Sequence, residues 1–202
     1  MKAPILLLIA LLLSEAGLAC SPVLPNVDML NGERSTMVAS PNGRFFLKLM
    51  PSRWKKDPLN KSQRIMTRCS LAIAFEVLAD GQFKQLWSFR DRVGKKHFEV
   101  PLYSRFYLSS NGMSLVEVIQ WSSSAKSDVV VTYSEGKEVK RYTPADFGVT
   151  KLIPGCPSGN WQLDIKRPVS YGPDIIKIKT VNNADWEIEV RTLELKEVVP
   201  IT

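Results

Sequence analysis

A four-residue turn motif that occurs twice constrains this chain more than any other feature. Both copies contain a serine, a variable residue, an asparagine and a glycine, at residues 40–43 and 109–112. Asparagine followed by glycine favours the positive φ angles of a tight turn between two strands. An apolar run follows each copy, at residues 45–49 and 114–118. The copies are 69 residues apart and predict a repeated β unit that buries one face against its neighbour.

A hairpin signal follows each copy of the turn. In both places an acidic residue and a glycine separate two runs that are apolar or alternate between apolar and polar residues. The runs and their turns are residues 71–78, 80–81 and 83–87 in the first hairpin, and residues 129–133, 135–136 and 139–142 in the second. Each unit therefore consists of a motif turn, a strand, a variable connection and a hairpin.

A third, looser copy of the unit runs from about Trp161 to Leu193. Within it, residues 176–179 and 186–191 alternate between apolar and charged side chains. A period of two places the apolar residues on one face of a strand and the charged residues on the other. The polar residues 182–185 between the two runs predict a hairpin.

These patterns predict an all-β fold of antiparallel sheets built from blade-like repeats. We expect a partial propeller or a sandwich-like arrangement, with little helix after the N-terminal segment. About ten to twelve strands are enough for roughly three sheets of four, and too few for a closed propeller of four or more blades. A single domain is predicted for residues 38–202, with units at about 38–102, 103–150 and 151–195.

The N-terminal segment has the pattern of an export signal. One early lysine precedes an apolar run at residues 3–13, and small residues follow. The run is too short to cross a bilayer, which needs about 20 residues. We therefore predict a signal peptide at residues 1–19 and a linker at residues 20–37. Cleavage either follows Ala19 or creates a lipidated N-terminus at Cys20.

The lipid alternative rests on a resemblance and on the cysteine count. The residues before Cys20 resemble a bacterial lipobox, although Gly17 stands where leucine is typical and Glu15 adds a charge. Lipidation of Cys20 would leave Cys69 and Cys156 as a pair that is able to form a disulfide in an oxidising compartment. The alternatives are a disulfide that includes Cys20, or no disulfide.

A wider resemblance covers residues 38–142. It rests on the two motif turns, on Leu86-Trp87-Ser88-Phe89, on Trp121, and on the strand at residues 128–133 with its glycine and lysine turn. This pattern resembles a group of uncharacterised exported bacterial proteins with β-propeller-like repeats. The resemblance implies a β-repeat scaffold and assigns no catalytic or binding residue.

The net charge of the chain indicates which kind of partner it binds. The chain has a formal net charge of +7. In an exported protein this excess favours an anionic component of the cell envelope, or another envelope protein, over nucleic acid. Nothing in the sequence calls for a cofactor.

Enzyme signatures are scarce. His97 is the only histidine, so a metal site built from several imidazoles is excluded. The chain has no Gly-x-Ser-x-Gly motif and no glycine-rich phosphate loop. Glu187 and Glu189 share one strand face about 7 Å apart, but they alternate with core residues and are expected to face water. A hydrolase would need a site assembled from distant residues, with His97 as the base.

The clearest binding candidate is a basic stretch between the first two strands of the first unit. Arg53, Trp54, Lys55 and Lys56 begin a segment that continues to Arg68 and has six basic residues and one acidic residue. Long connections inserted between strands are often functional. The cations suit phosphate groups, and the tryptophan suits a headgroup interface or a sugar ring. A second basic cluster, at residues 90–96, adds to this site if both connections lie on one side.

The sequence therefore predicts an exported cell-envelope protein that acts as a non-enzymatic binding module. It is periplasmic or attached to the outer membrane by a lipid at Cys20, or otherwise secreted. The alternatives are the hydrolase that uses His97 and an accessory subunit that pairs with the sheet edge of a partner.

Overall fold

The computed structural model describes residues 36–50, 53–56, 58–59, 64–68, 71–90, 104–119, 121–122, 124–154, 159–166 and 174–199. It confirms the predicted all-β class. Three four-stranded antiparallel sheets, here called blades 1 to 3, follow one another along the chain, and two short two-stranded pairings accompany them. In the described ranges, the one helical element is a 3₁₀ helix at Pro144–Phe147.

Blade 1 contains four strands, in the spatial order β1, β2, β5 and β6. Their bounds are Thr36–Ala39, Phe45–Met50, Leu71–Val77 and Phe83–Arg90. The chain between β2 and β5 forms a separate two-stranded ribbon, with β3 at Arg53–Lys56 and β4 at Arg64–Arg68. This ribbon had been predicted only as a long basic connection.

Blades 2 and 3 have the same meander. Blade 2 comprises β7, β8, β10 and β11, at Ser104–Leu108, Ser114–Ile119, Val130–Ser134 and Lys137–Tyr142. Blade 3 comprises β13, β14, β15 and β16, at Gln162–Lys166, Ile175–Thr180, Asp185–Glu189 and Glu194–Val198. Two short strands link the blades, because β9 at Trp121–Ser122 pairs with β12 at Gly159–Asn160.

The two copies of the motif turn have the same hydrogen bonds. In blade 1 the Ser40 hydroxyl donates to Asn42 Oδ1 over 2.8 Å, and in blade 2 Ser109 donates to Asn111 Oδ1 over 2.6 Å. The glycine after each asparagine has a positive φ, 68° and 72° respectively. The sequence repeat is therefore a structural repeat down to single side-chain contacts.

Blade 3 has a similar turn in a different place. Thr180 donates to Asn182 Oδ1, and Asn183 has a φ of 64° where the motif has glycine. This turn joins the second and third strands of its blade, whereas the motif turns of blades 1 and 2 join the first and second. The same local chemistry thus closes a turn at the opposite end of the sheet.

Blade 2 lies between two hydrophobic cores. Side chains of blade 1 and one face of blade 2 form the first core, which includes Leu47, Ala74 and Leu115. The other face of blade 2 and the inner face of blade 3 form the second core, which includes Val116 and Ile178. Since blade 2 is covered on both faces, nearly every residue of β8 is buried.

Tryptophans fix the contacts between neighbouring blades. Trp87 of blade 1 donates its indole N–H to the carbonyl of Gly112 in blade 2 over 2.7 Å. Trp161, at the start of blade 3, donates to the carbonyl of Ile119 over 2.8 Å. Each bond satisfies a polar group that would otherwise be buried without a partner.

The motif turns lie at one end of the stack. Asn42 Nδ2 donates to the carbonyl of Ser110 over 2.7 Å, and the backbone N–H of Ser110 donates to Asp174 Oδ2 over 2.9 Å. Because neighbouring strands are antiparallel, the connections that follow β2, β6 and β8 leave from the other end. The ribbon is one of these connections.

Candidate functional site

The ribbon brings basic residues to opposite positions. Its register pairs Arg53 with Arg68 and Lys56 with Arg64, while Trp54 lies opposite Met66. Like charges at directly opposite positions of an antiparallel pair destabilise it unless another group neutralises them. All four residues of the predicted basic site therefore lie on one strand, and the backbone register sets two of them opposite further basic residues.

The ribbon lies in the chain between the central strands of blade 1. The last pair of the β2–β5 ladder is Met50 with Leu71, and the first pair of the ribbon is Arg53 with Arg68, three residues away along the chain on each side. The ribbon is a two-stranded sheet of its own.

Charge is concentrated in this first unit. Residues 36–90 contain ten basic and three acidic residues, which equals the formal net charge of +7 of the whole chain. Residues 104–142 contain five basic and four acidic residues, and residues 159–199 contain six basic and seven acidic residues. Blades 2 and 3 are therefore close to neutral.

Blade 1 also has an apolar face that belongs to neither core, here called the outer face of blade 1. In β2 the odd-numbered residues are buried against blade 2, and the even-numbered residues point away from it. The residues of the outer face are Met37, Ala39, Phe46, Lys48, Met50, Leu71, Ile73, Phe75, Val77, Phe83, Gln85 and Ser88. Three of these twelve are polar, and the ladder places Arg90 opposite Leu71 at the end of the face.

Three phenylalanines form the centre of this face. The rings of Phe46 and Phe75 stack with their centroids 5.0 Å apart, and Phe83 meets Phe46 edge-on at 5.2 Å. Phe83 is 64% exposed and Met37 is 54% exposed. A contiguous exposed apolar face of this kind is typical of an interaction surface.

Sequence reasoning missed the outer face of blade 1. The segment Phe45–Met50 is apolar on both sides except for Lys48, so its pattern predicts a strand without predicting which side is covered. One sequence signal was present. In β2 and β5 most positions on both sides of the strand are apolar, which is more than a core on one side requires.

A buried glutamate lies on the opposite side of blade 1, at its contact with blade 2. Glu117 is 4% exposed. It accepts hydrogen bonds from the Ser104 hydroxyl over 2.8 Å and from the Tyr133 phenol over 3.1 Å. Burial raises the pKa of Glu117, and the two hydrogen bonds offset part of that rise. Both carboxylate oxygens are occupied, so the group joins β7, β8 and β10.

The outer face of blade 3 has a different chemistry. Glu187 lies between Lys177 at 3.2 Å and Lys196 at 3.4 Å. The hydrogen bond from Lys177 is the largest cause of the lowered pKa of Glu187. A groove of about 380 Å³ runs along this face and has lysine and carboxylate side chains in its lining. The lining of this groove therefore carries charge of both signs.

Four residues named in the sequence predictions lie outside the described residues. They are Cys20, Cys69, His97 and Cys156, so lipidation, the disulfide and the histidine of the hydrolase alternative stay predictions. Of the second basic cluster, only Arg90 falls in a described range, at the end of β6.

No helix in the described part of the chain is long and apolar enough to cross a membrane. The described ranges also contain no group of three or more histidine, cysteine, aspartate or glutamate residues that is able to hold a metal ion.

Comparison with known proteins gives a likeness to a solved structure. No protein-family model matches the chain, and no curated protein matches its sequence. Among solved structures, the chain is similar to the periplasmic gluconolactonase PpgL of Pseudomonas aeruginosa, with a TM-score of 0.38 and 12% sequence identity. The match covers 83% of this chain and 39% of that one, so the chain spans about two fifths of the length of that enzyme.

Proposed function

We propose that this protein is an exported, non-enzymatic module of the cell envelope that binds an anionic surface through the ribbon of blade 1. The observation that supports the proposal is the register of the ribbon, which sets Arg53 opposite Arg68 and Lys56 opposite Arg64. Pairs of cations at such positions repel each other in the free protein. Phosphate or sulfate groups between them would remove that repulsion, so an anionic partner stabilises the ribbon as it binds.

The distribution of charge supports the same proposal. Residues 36–90 hold an excess of seven positive charges, while residues 104–142 and 159–199 are nearly neutral. A field that is strong on one side of a molecule orients it towards an oppositely charged surface. Export, which the N-terminal segment predicts, makes the anionic surfaces of the cell envelope the available partners.

Charge removal from β3 tests the proposal. In the triple variant Arg53→Gln, Lys55→Gln and Lys56→Gln, we expect weaker binding to dextran sulfate beads and to vesicles that contain phosphatidylglycerol. Each cation near an anionic bilayer contributes about 1 kcal/mol, so the loss on vesicles is on the order of a hundredfold. Co-sedimentation at low salt measures it.

A matched control removes the same charge elsewhere. Lys126, Lys137 and Lys151 are exposed residues outside blade 1, and their triple change to glutamine keeps the net charge equal to that of the ribbon variant. We expect the control to bind far better than the ribbon variant. Equal binding by the two variants, or no binding of the parent to either anionic probe, would falsify the ribbon assignment.

A further inference from the structure

Among the described residues, neither blade 2 nor blade 3 packs on the outer face of blade 1, which is apolar and belongs to the most basic of the three blades. We propose that it docks on the lipid bilayer, with Phe83 and Met37 entering the interface while the neighbouring cations meet anionic headgroups. The inference rests on the proposed function, because it names a lipid membrane as the anionic surface.

Charge argues against a second copy of the chain as the occupant. Contact between two such faces would bring together two copies of residues 36–90, each with an excess of seven positive charges. Like charges brought together at an interface oppose association. An anionic partner is attracted by the same charges. The partner that matches both the charge and the apolar face is therefore a surface with negative groups outside and apolar groups beneath them.

A lipid bilayer has both properties, negative charge at its surface and an apolar region beneath. Its headgroups attract cations, and the region below them accepts apolar side chains. On the outer face, Lys48 lies two residues from Phe46 on the same strand and is partly exposed. Lys48 and the phenylalanines therefore place a cation beside apolar rings. A purely ionic polymer would bind the cation but not the rings.

The outer face combines both chemistries within blade 1 itself. The β2–β5 ladder contains the aromatic cluster near the motif turn, and Lys48 lies opposite Ile73 in the same ladder. Along the chain, the basic ribbon lies between β2 and β5. A surface that covers the outer face therefore meets Lys48 and the phenylalanines in the same bound orientation.

The test compares Phe83→Ser with Val139→Ser. Val139 is 57% exposed on β11 of blade 2, so the control removes an apolar side chain of similar exposure from a nearly neutral blade. All proteins carry Cys20→Ser, so that no acyl chain contributes. Binding is measured on vesicles that contain phosphatidylglycerol and on dextran sulfate beads, at low salt and at a salt concentration that screens exposed charges.

We expect Phe83→Ser to weaken vesicle binding about tenfold and to leave binding to dextran sulfate unchanged. The loss should persist when salt is raised, because apolar insertion is not screened. Val139→Ser should bind both probes like the parent. Phe83→Trp should retain vesicle binding, since tryptophan is favoured at the bilayer interface. Circular dichroism of each variant establishes that it is folded.

Other results would overturn the inference in distinguishable ways. Unchanged vesicle binding by folded Phe83→Ser rejects the outer face and leaves the ribbon proposal intact. Parent protein that binds dextran sulfate but no vesicle rejects the lipid partner alone. A concentration-dependent dimer that Phe83→Ser abolishes identifies the face as a self-interface. Parent protein that binds neither probe rejects the inference together with the proposed function.

Discussion

Blades 1 and 3 are the two ends of one stack, and their outer faces differ in chemistry. On blade 3, lysines alternate with buried isoleucines along β14, and Glu187 on β15 lies between Lys177 of β14 and Lys196 of β16. On blade 1, the corresponding side of the sheet is a cluster of three phenylalanines with partly exposed neighbours. Stacked repeats end stably where the last face is polar. The charged outer face of blade 3 is stable in contact with water. The apolar outer face of blade 1 would be stabilised by a partner that covers it.

The inner faces of the same two blades are alike. Leu47 of blade 1 is completely buried, and Ile178 of blade 3 is 1% exposed. Both side chains pack against the central blade, each in its own core. The difference between the ends is therefore confined to the side that faces away from blade 2.

The largest expected effect tests whether the inner faces of blades 1 and 3 are packed equally well on blade 2. Leu47→Ala and Ile178→Ala should each lower the free energy of unfolding by about 2–5 kcal/mol, because each removes fully buried methyl groups and leaves a cavity. Urea denaturation measures both. A loss below about 1 kcal/mol for either variant would show that its blade is not packed on blade 2 as the structure describes.

The next effect separates the two copies of the motif turn. A Cβ at Gly112 would lie 2.5 Å from Phe45 Cδ1 and 2.9 Å from Leu86 Cδ1, whereas a Cβ at Gly43 has nothing within 4 Å. Both glycines have positive φ, which costs an alanine about 1 kcal/mol. Gly43→Ala should lose about that amount and Gly112→Ala about 2–4 kcal/mol, since overpacking adds to the strain. Equal losses would contradict the close contact between blades 1 and 2 at this turn.

The buried glutamate predicts a specific dependence of stability on pH. Burial raises the pKa of Glu117 in the folded state, so the folded chain holds its proton more tightly than the unfolded chain. Stability contributed by this group is therefore present below the ordinary glutamate pKa of about 4.3 and is lost as pH rises towards the folded value. Glu117→Gln should flatten this decline in urea denaturation measured across that window. An unchanged pH profile in the variant would show that Glu117 does not titrate in this way.

The smallest effect concerns the charged end of the stack. The lysines beside Glu187 lower its pKa, so its contribution is present above the ordinary glutamate pKa and is lost as pH falls through the lower folded value. Because the lysines are exposed, Glu187→Gln should cost at most about 1 kcal/mol. High salt should remove most of that cost in denaturation experiments. A cost that persists at high salt would mean that the outer face of blade 3 is more buried than the structure describes.

Local sequence signals predicted much of the fold. Turn chemistry at residues 40–43, 80–81, 109–112 and 135–136 depends on neighbours within a few residues, so it could be recognised without tertiary information. The alternation at residues 176–179 predicted β14 for the same reason. The ribbon was harder, because cations facing each other across a ladder give no strand pattern that a single sequence reveals.

The candidate site also has a part that the sequence reveals and a part that it does not. The basic residues Arg53, Lys55 and Lys56 were visible because charge is a property of the residues themselves. The contribution of Phe46, Phe75 and Phe83 was not visible, since an apolar residue in a strand has the same pattern whether it is covered or exposed.

The sequence by itself determined the β class, the repeated turns and the concentration of positive charge in the first unit, because these depend on residue type and short-range spacing. Tertiary structure alone decided which faces are covered. Blade 2 is apolar on both sides and has a blade packed on each, whereas blade 1 is apolar on both sides and, within the described part of the chain, has a blade packed on one. Coverage depends on which units lie side by side, and contacts between residues far apart in the chain determine that.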